Sequence, residues 1–329
     1  MYMLKTISSD KPNSADTRDE IDVLRTIYWF EGLRIRAGVD TAYALERRIE
    51  PESFGKNSFG DPIRRNKWGR YRRGRHTPND SMVTQANRKF PGSERDLNHV
   101  LWQVLKFNGD ISGRAHDWLR KLAPELQLLI FENGDYLRIH GGRQHLAKLE
   151  RRASMDCLAC LVILLRLNTE HGSYERGWEY AQSVFRVLLM LGLEFDERRL
   201  GDEIFAIFKK RIFSLIKWDG YRFYFDNYDF VQSAHILHGF SLNTKQTKGR
   251  QLSWQEQVRH MCKILSGSYG FDLQFALEPI IAPDNEIGPL SDVEQTEFNR
   301  RVQIQNWGIE NILSGGKDRF PPSRLLTSS

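Results

Sequence analysis

Residues 143–167 read RQHLAKLERRASMDCLACLVILLRL, and this stretch decides the fold class. Leu146, Leu149, Ala153, Cys157, Cys160 and Leu164 recur three or four positions apart, the spacing that lines one buried face of a helix. The densest apolar run, CLACLVILL at 157–165, stops at Arg166. A membrane-spanning helix needs about 20 such residues, so the run belongs to a core helix and no membrane is expected as a partner. Residues 174–191 and 197–217 repeat the pattern, which makes the middle third of the chain a helical bundle.

On the C-terminal side, WDGYRFYFDNYDF at 218–230 interrupts the helices. Asp-Gly among alternating aromatics suits a hairpin or an aromatic plug, with helix as the competing reading. Residues 240–250 are polar and basic, hence an exposed loop, while 254–265 and 292–312 are helical in pattern. The terminal SGGKDRFPPSRLLTSS has the composition of a disordered tail.

On the N-terminal side, DYLRIHGG at 135–142 holds a short strand, and 114–131 is helical on either side of Pro124. Residues 109–113 form a joint. Before it lies a series of short helices. Ser14 or Asp16 caps a first one carrying Ile21, Leu24, Ile27, Phe30 and Leu33, and a second spans 42–49. The loop PESFGKNSFGDP leads to a basic helix at 63–73. Asn79 or Asp80 caps a helix at 81–90, and Ser93 with Asp96 starts another at 97–107. No fixed-period repeat is present.

At 329 residues, with 40% hydrophobic and 12% aromatic content, the chain has material for two folded parts. Three cysteines, Cys157, Cys160 and Cys262, make no disulfide framework. The first twenty residues lack the apolar segment of a secretory signal, so a cytoplasmic location is expected.

Charge singles out one segment. Residues 63–79, IRRNKWGRYRRGRHTPN, hold seven Arg or Lys and no acid, more than the whole formal net charge of +6. Such a block is the footprint of a polyanion-binding surface, nucleic acid first. At about 100° per residue, Trp68 and Tyr71 share one side of the helix, and Asn66, Arg70 and Arg73 fall on the other. Arg65, Lys67 and Arg72 flank that stripe. Arg64, Arg65, Asn66, Lys67, Arg70, Arg72, Arg73 and Arg75 are therefore the candidate nucleic-acid-binding residues. Arg and Asn match guanine and adenine edges in a major groove, which favours duplex DNA.

From Tyr71 the line YRRGRHTPNDSMVTQANRKF resembles the recognition-helix end of the Cro and phage-repressor type helix-turn-helix. In that family an aromatic residue is followed three positions later by Gly, four after that by Pro, and then by a capped helix with apolar core positions. Here these are Tyr71, Gly74, Pro78, Asn79, and Met82, Val83 and Ala86. The likeness covers about 20 residues, and the loop 51–62 stands where the family puts the first helix of the motif. It implies a DNA-binding regulator, or a component of a mobile-element or defence system, that reads two half-sites as a homodimer.

Other constellations carry less. Cys157 and Cys160 have zinc-ligand spacing, with His260 and Cys262 as further donors, but they lie in an apolar helix typical of a core. Arg138 and His145 resemble the Arg and His pair of HEPN-type ribonucleases, which makes a toxin-type RNA-cutting enzyme the alternative, with Arg138 and His145 as its catalytic residues. A protein-interaction module with a basic patch is a third reading. No Ser/His/Asp set, phosphate-cradling loop or HExxH motif stands out, so neither cofactor, metal nor enzymatic activity is expected.

The expected fold is mainly α. A loose tail at 1–15 precedes a basic helix-turn-helix-like module at 16–108. A larger helical-bundle domain with at most a short hairpin follows at 114–282, then a C-terminal helical segment at 283–313 and a disordered tail at 314–329.

Overall fold

The computed structural model describes residues 18–54, 66–133, 135–138, 142–243, 251–284 and 290–326. The fold is mainly helical, as the periodicity predicts. Helix α1 (Glu20–Ala37) starts at Asp19, whose carboxylate accepts the Ile21 N–H at 2.8 Å, and ends at Gly38 in the left-handed region. The cap is thus Asp19; Ser14 and Asp16 lie outside the described residues. Helix α2 (Ala42–Ile49) is capped by Thr41, and a short 3-10 turn (Pro51–Ser53) follows. Helix α3 (Lys67–Arg72) is the described part of the basic helix, and α4 (Asp80–Lys89) is capped by Asn79.

The expected helix at 97–107 is two helices, α5 (Ser93–Asn98) and α6 (Val100–Lys106). His99 breaks them apart. Its Nδ1 accepts the Leu101 N–H at 3.1 Å while its Nε2 lies 2.8 Å from Asp156, and both bonds replace helical continuity. Burial places a boundary at the same point. Trp29, Phe30 and Leu33 of α1 pack with Leu45, Trp68, Val83 and Leu97 in a small core. Ile21, Leu24 and Tyr28 of the same helix face a larger core, which also takes Leu101, Trp102 and Leu105 of α6. The small core therefore ends near Leu97, short of the 108 read from the sequence, and α1 is shared by both.

The larger core is a helical bundle. Helices α7 (Ser112–Arg120) and α8 (Pro124–Ile130) lead into a two-stranded hairpin, β1 (Phe131–Glu132) with β2 (Tyr136–Leu137). The deciding stretch is not one helix but α9 (Arg143–Glu150) and α10 (Met155–Glu170). Ser154 restarts the chain by accepting the Cys157 N–H at 3.1 Å. The apolar spacing runs across the break because Leu149 and Ala153 are both buried in the same core. Residues 157–165 of α10 are entirely buried, as an apolar run at a bundle centre must be.

Helix α11 (Tyr174–Met190) packs along α10, followed by α12 (Gly192–Glu197); the expected 197–217 helix is shorter, forming α13 (Gly201–Arg211) and then a 3-10 turn (Phe213–Leu215). Residues 218–230 form the hairpin reading: β3 (Lys217–Trp218) pairs with β4 (Tyr221–Tyr224) across Asp219 and Gly220, both at positive φ. Helices α14 (Phe230–Leu242), α15 (Trp254–Leu265) and α16 (Phe271–Leu277) follow, and β5 (Ile280–Pro283) adds a third antiparallel strand beside β4. Helix α17 (Asp292–Leu313) lies against α16 and β5.

Residues 314–326, expected to be disordered, are held instead. The Arg319 carbonyl accepts the Phe271 N–H at 3.0 Å, its guanidinium pairs with Asp272 at 3.2 Å, and a short helix α18 (Ser323–Leu326) closes the described chain. Sequence composition missed this because the restraint comes from α16, about fifty positions away. Among the described residues no helix is long and apolar enough to cross a membrane.

Candidate nucleic-acid interface

Helix α3 is only six residues long, so its position depends on what grips its inner face. Trp68 is fully buried and stacks on Trp29 of α1, with centroids 5.8 Å apart and planes at 18°. Tyr71 meets both indoles edge-on, at 5.7 Å and 5.6 Å. The Trp68 Nε1–H donates to Glu50 Oε2 at 2.7 Å, and Lys67 Nζ lies 2.7 Å from Glu50 Oε1. Burial, with the Glu50 charge nearby, pushes the Tyr71 phenol up to about 12. The amphipathic reading of this helix holds on its apolar side.

The turn after α3 is fixed just as tightly. Gly74 has φ 62°, and a Cβ there would come within 2.6 Å of Val23 Cγ1 and 2.9 Å of the Val23 carbonyl. Only glycine fits both the left-handed backbone and this approach to α1. Arg18 reinforces the contact, donating to the Gly74 carbonyl and to Thr77 Oγ1. Neither Glu50 nor Arg18 was visible as a support in the sequence, since their partners lie 17 to 59 positions away.

Asn66, Arg70, Arg72, Arg73 and Arg75 are exposed on the outer side. Among the described residues Arg70 reaches only the His76 ring, at 3.4 Å, and Arg72, Arg73 and Arg75 form no ion pair. Lys67 differs from them, because its ammonium is engaged with Glu50 and helps to frame the site. Arg64 and Arg65 lie outside the described residues. Some arginines of the bundle are paired: Arg186 lies 2.7 Å from Glu278, Arg198 3.1 Å from Asp96, and Arg211 2.6 Å from Glu20. Arg114, Arg143, Arg151, Arg152, Arg199 and Arg259 of the bundle are exposed like the arginines of α3 and its turn, which differ in falling at four of six consecutive positions, 70–75.

Arg138 and His145 do not form an exposed pair. Arg138 follows β2 and pairs with Glu132 of β1, while the His145 side chain is 6% exposed in the first turn of α9. Its Nε2 is buried without a hydrogen-bond partner. Burial, and then the charge of Arg138, lowers the His145 pKa, which keeps the ring neutral. His140 lies outside the described residues. Cys157 and Cys160 are both fully buried, and the Cys157 thiol donates to the Leu149 carbonyl at 3.1 Å. Trp102, Trp178, Phe223, Phe225 and Phe230 of the bundle are buried, with Trp178 stacked on Phe223 at 4.4 Å, whereas Trp218 and Trp254 are exposed.

No family model matches the chain, and no curated protein or solved structure matches it. The functional reading therefore rests on the geometry of the α3 surface.

Proposed function

We propose that this protein binds nucleic acid, with duplex DNA as the favoured form, through the arginine surface of α3 and the turn that follows it. The observation that carries the reading is the set of four exposed arginines, Arg70, Arg72, Arg73 and Arg75, without carboxylate partners among the described residues, on a helix anchored from behind by Trp68 and Tyr71. Like charges held this close repel one another, and a polyanion relieves that repulsion. The likeness of residues 71–90 to the Cro-type helix-turn-helix supports the same reading, with Tyr71, Gly74, Pro78 and Asn79 at the family's offsets.

A six-residue helix can meet only a few base pairs, so sequence-specific recognition would call for a symmetric dimer, with the bundle as its dimerisation domain. Binding to a labelled duplex over a range of salt concentrations tests the proposal. Log K should fall against log salt with a slope of about −0.9 per phosphate neutralised. Binding indifferent to salt, or none at low salt, overturns it. RNA cleavage by Arg138 and His145 gains no support, because the histidine is enclosed and the arginine is paired.

A further inference from the structure

Tyr43, in the first turn of α2, is 62% exposed, and Phe54, just after the 3-10 turn, is 38% exposed. Their rings meet edge to face at 5.1 Å and 86°, so each holds the other in place at the surface. Arg47 follows Tyr43 by four positions, which puts it on the same face of α2, and Arg47 and Arg48 are both exposed. Of the acids nearby, Glu46 is buried, Glu52 accepts from Gln85 at 2.9 Å, and Asp40, 3.8 Å from Arg34, is exposed. Helix α2 packs against α3, and Glu50 at its end holds Lys67 and Trp68. An aromatic platform flanked by cations is thus carried by α2 and the turn after it, and α2 shares the small core with α3 through Leu45 and Ile49.

Resting on the nucleic-acid reading above, we propose that Tyr43 and Phe54 form a base-stacking site, so that the preferred substrate is a duplex carrying an unpaired nucleotide. Inside an intact duplex both faces of every base are covered by its neighbours, so a protein ring stacks most readily on a base that has left the helix, without the cost of parting a base step. A continuous groove of arginines without aromatics would suit a fully paired duplex; the added ring pair suits one interrupted by a bulge or a single-strand junction. Tyr43 lies about 10 Å along α2 from the Glu50 end that holds α3, a span of a few nucleotide steps at about 3.4 Å each.

The test uses the full chain and two DNA probes, a fully paired duplex and the same duplex with one bulged 2-aminopurine. Wild-type protein should bind the bulged probe about tenfold more tightly and quench its fluorescence. Tyr43→Ala and Phe54→Ala should bring the two affinities together while leaving the paired duplex within about twofold of wild type. Equal affinities in the wild type, or a preference that survives both substitutions, overturns the stacking site and leaves the arginine surface standing. Failure of wild type to bind either probe removes the nucleic-acid reading and this inference with it.

Discussion

Glu50 Oε2 lies 2.7 Å from the Trp68 indole nitrogen, and the same carboxylate meets the Lys67 ammonium at 2.7 Å. One buried acid at the end of α2 therefore orients the first turn of the basic helix. Glu50→Ala leaves the indole N–H enclosed without an acceptor, an expected loss of about 1–3 kcal/mol in urea unfolding. Glu50→Gln keeps an acceptor and should recover part of it. Trp68→Ala, which empties a stacked site, should lose about 3–5 kcal/mol.

Arg70→Ala combined with Arg73→Ala tests the opposite face. Both side chains are exposed, so the melting temperature should stay within about 2 °C of wild type. Duplex affinity at low salt should fall at least tenfold, and the salt slope should flatten by about 0.9 for each phosphate that is no longer neutralised. An unfolded double variant would show that these arginines belong to the fold.

Gly74 and Gly38 both have left-handed backbones, at φ 62° and φ 59°, but differ in their surroundings. A Cβ at Gly38 meets nothing within 4 Å, whereas one at Gly74 meets Val23 at 2.6 Å. Gly38→Ala should destabilise by about 1 kcal/mol, the conformational cost alone. Gly74→Ala should be clearly more destabilising and weaken DNA binding, because the turn must move away from α1. Equal losses in thermal unfolding would contradict the close approach.

Two buried histidines set an acid limit. Burial lowers the pKa of His145 and of His238 below the ordinary 6.5, so below that pH the unfolded chain takes up protons that the folded chain refuses. Their contribution to stability is complete above about pH 6.5 and is lost as pH falls toward their folded values. Unfolding midpoints measured between pH 7 and pH 5 should drop for the wild type and drop less for His145→Leu. The same substitution fills the enclosed site without leaving the unpaired Nε2 in the core.

Local chemistry carried much of the architecture. Asn79 caps the helix its side chain announces, α15 spans the predicted 254–265, and Trp68 and Tyr71 turn inward as their 100° spacing requires. These outcomes depend on residues within a turn or two of one another, so the sequence determined them, together with the helical class and the concentration of charge in one segment. Other features depended on distant partners. His99 splits a helical pattern because Asp156 of α10 bonds its ring, and Arg319 orders a tail of disordered composition because Asp272 and the Phe271 N–H receive it. Helix α1 serves two cores, since the faces of an amphipathic helix become distinct only when neighbours pack on both sides. The tertiary structure likewise separated Lys67, drawn onto Glu50, from the arginines left facing solvent, and enclosed His145. Ion pairing and burial are set by which groups the fold brings within a few ångströms, and one-dimensional spacing holds that information only for residues on the same element.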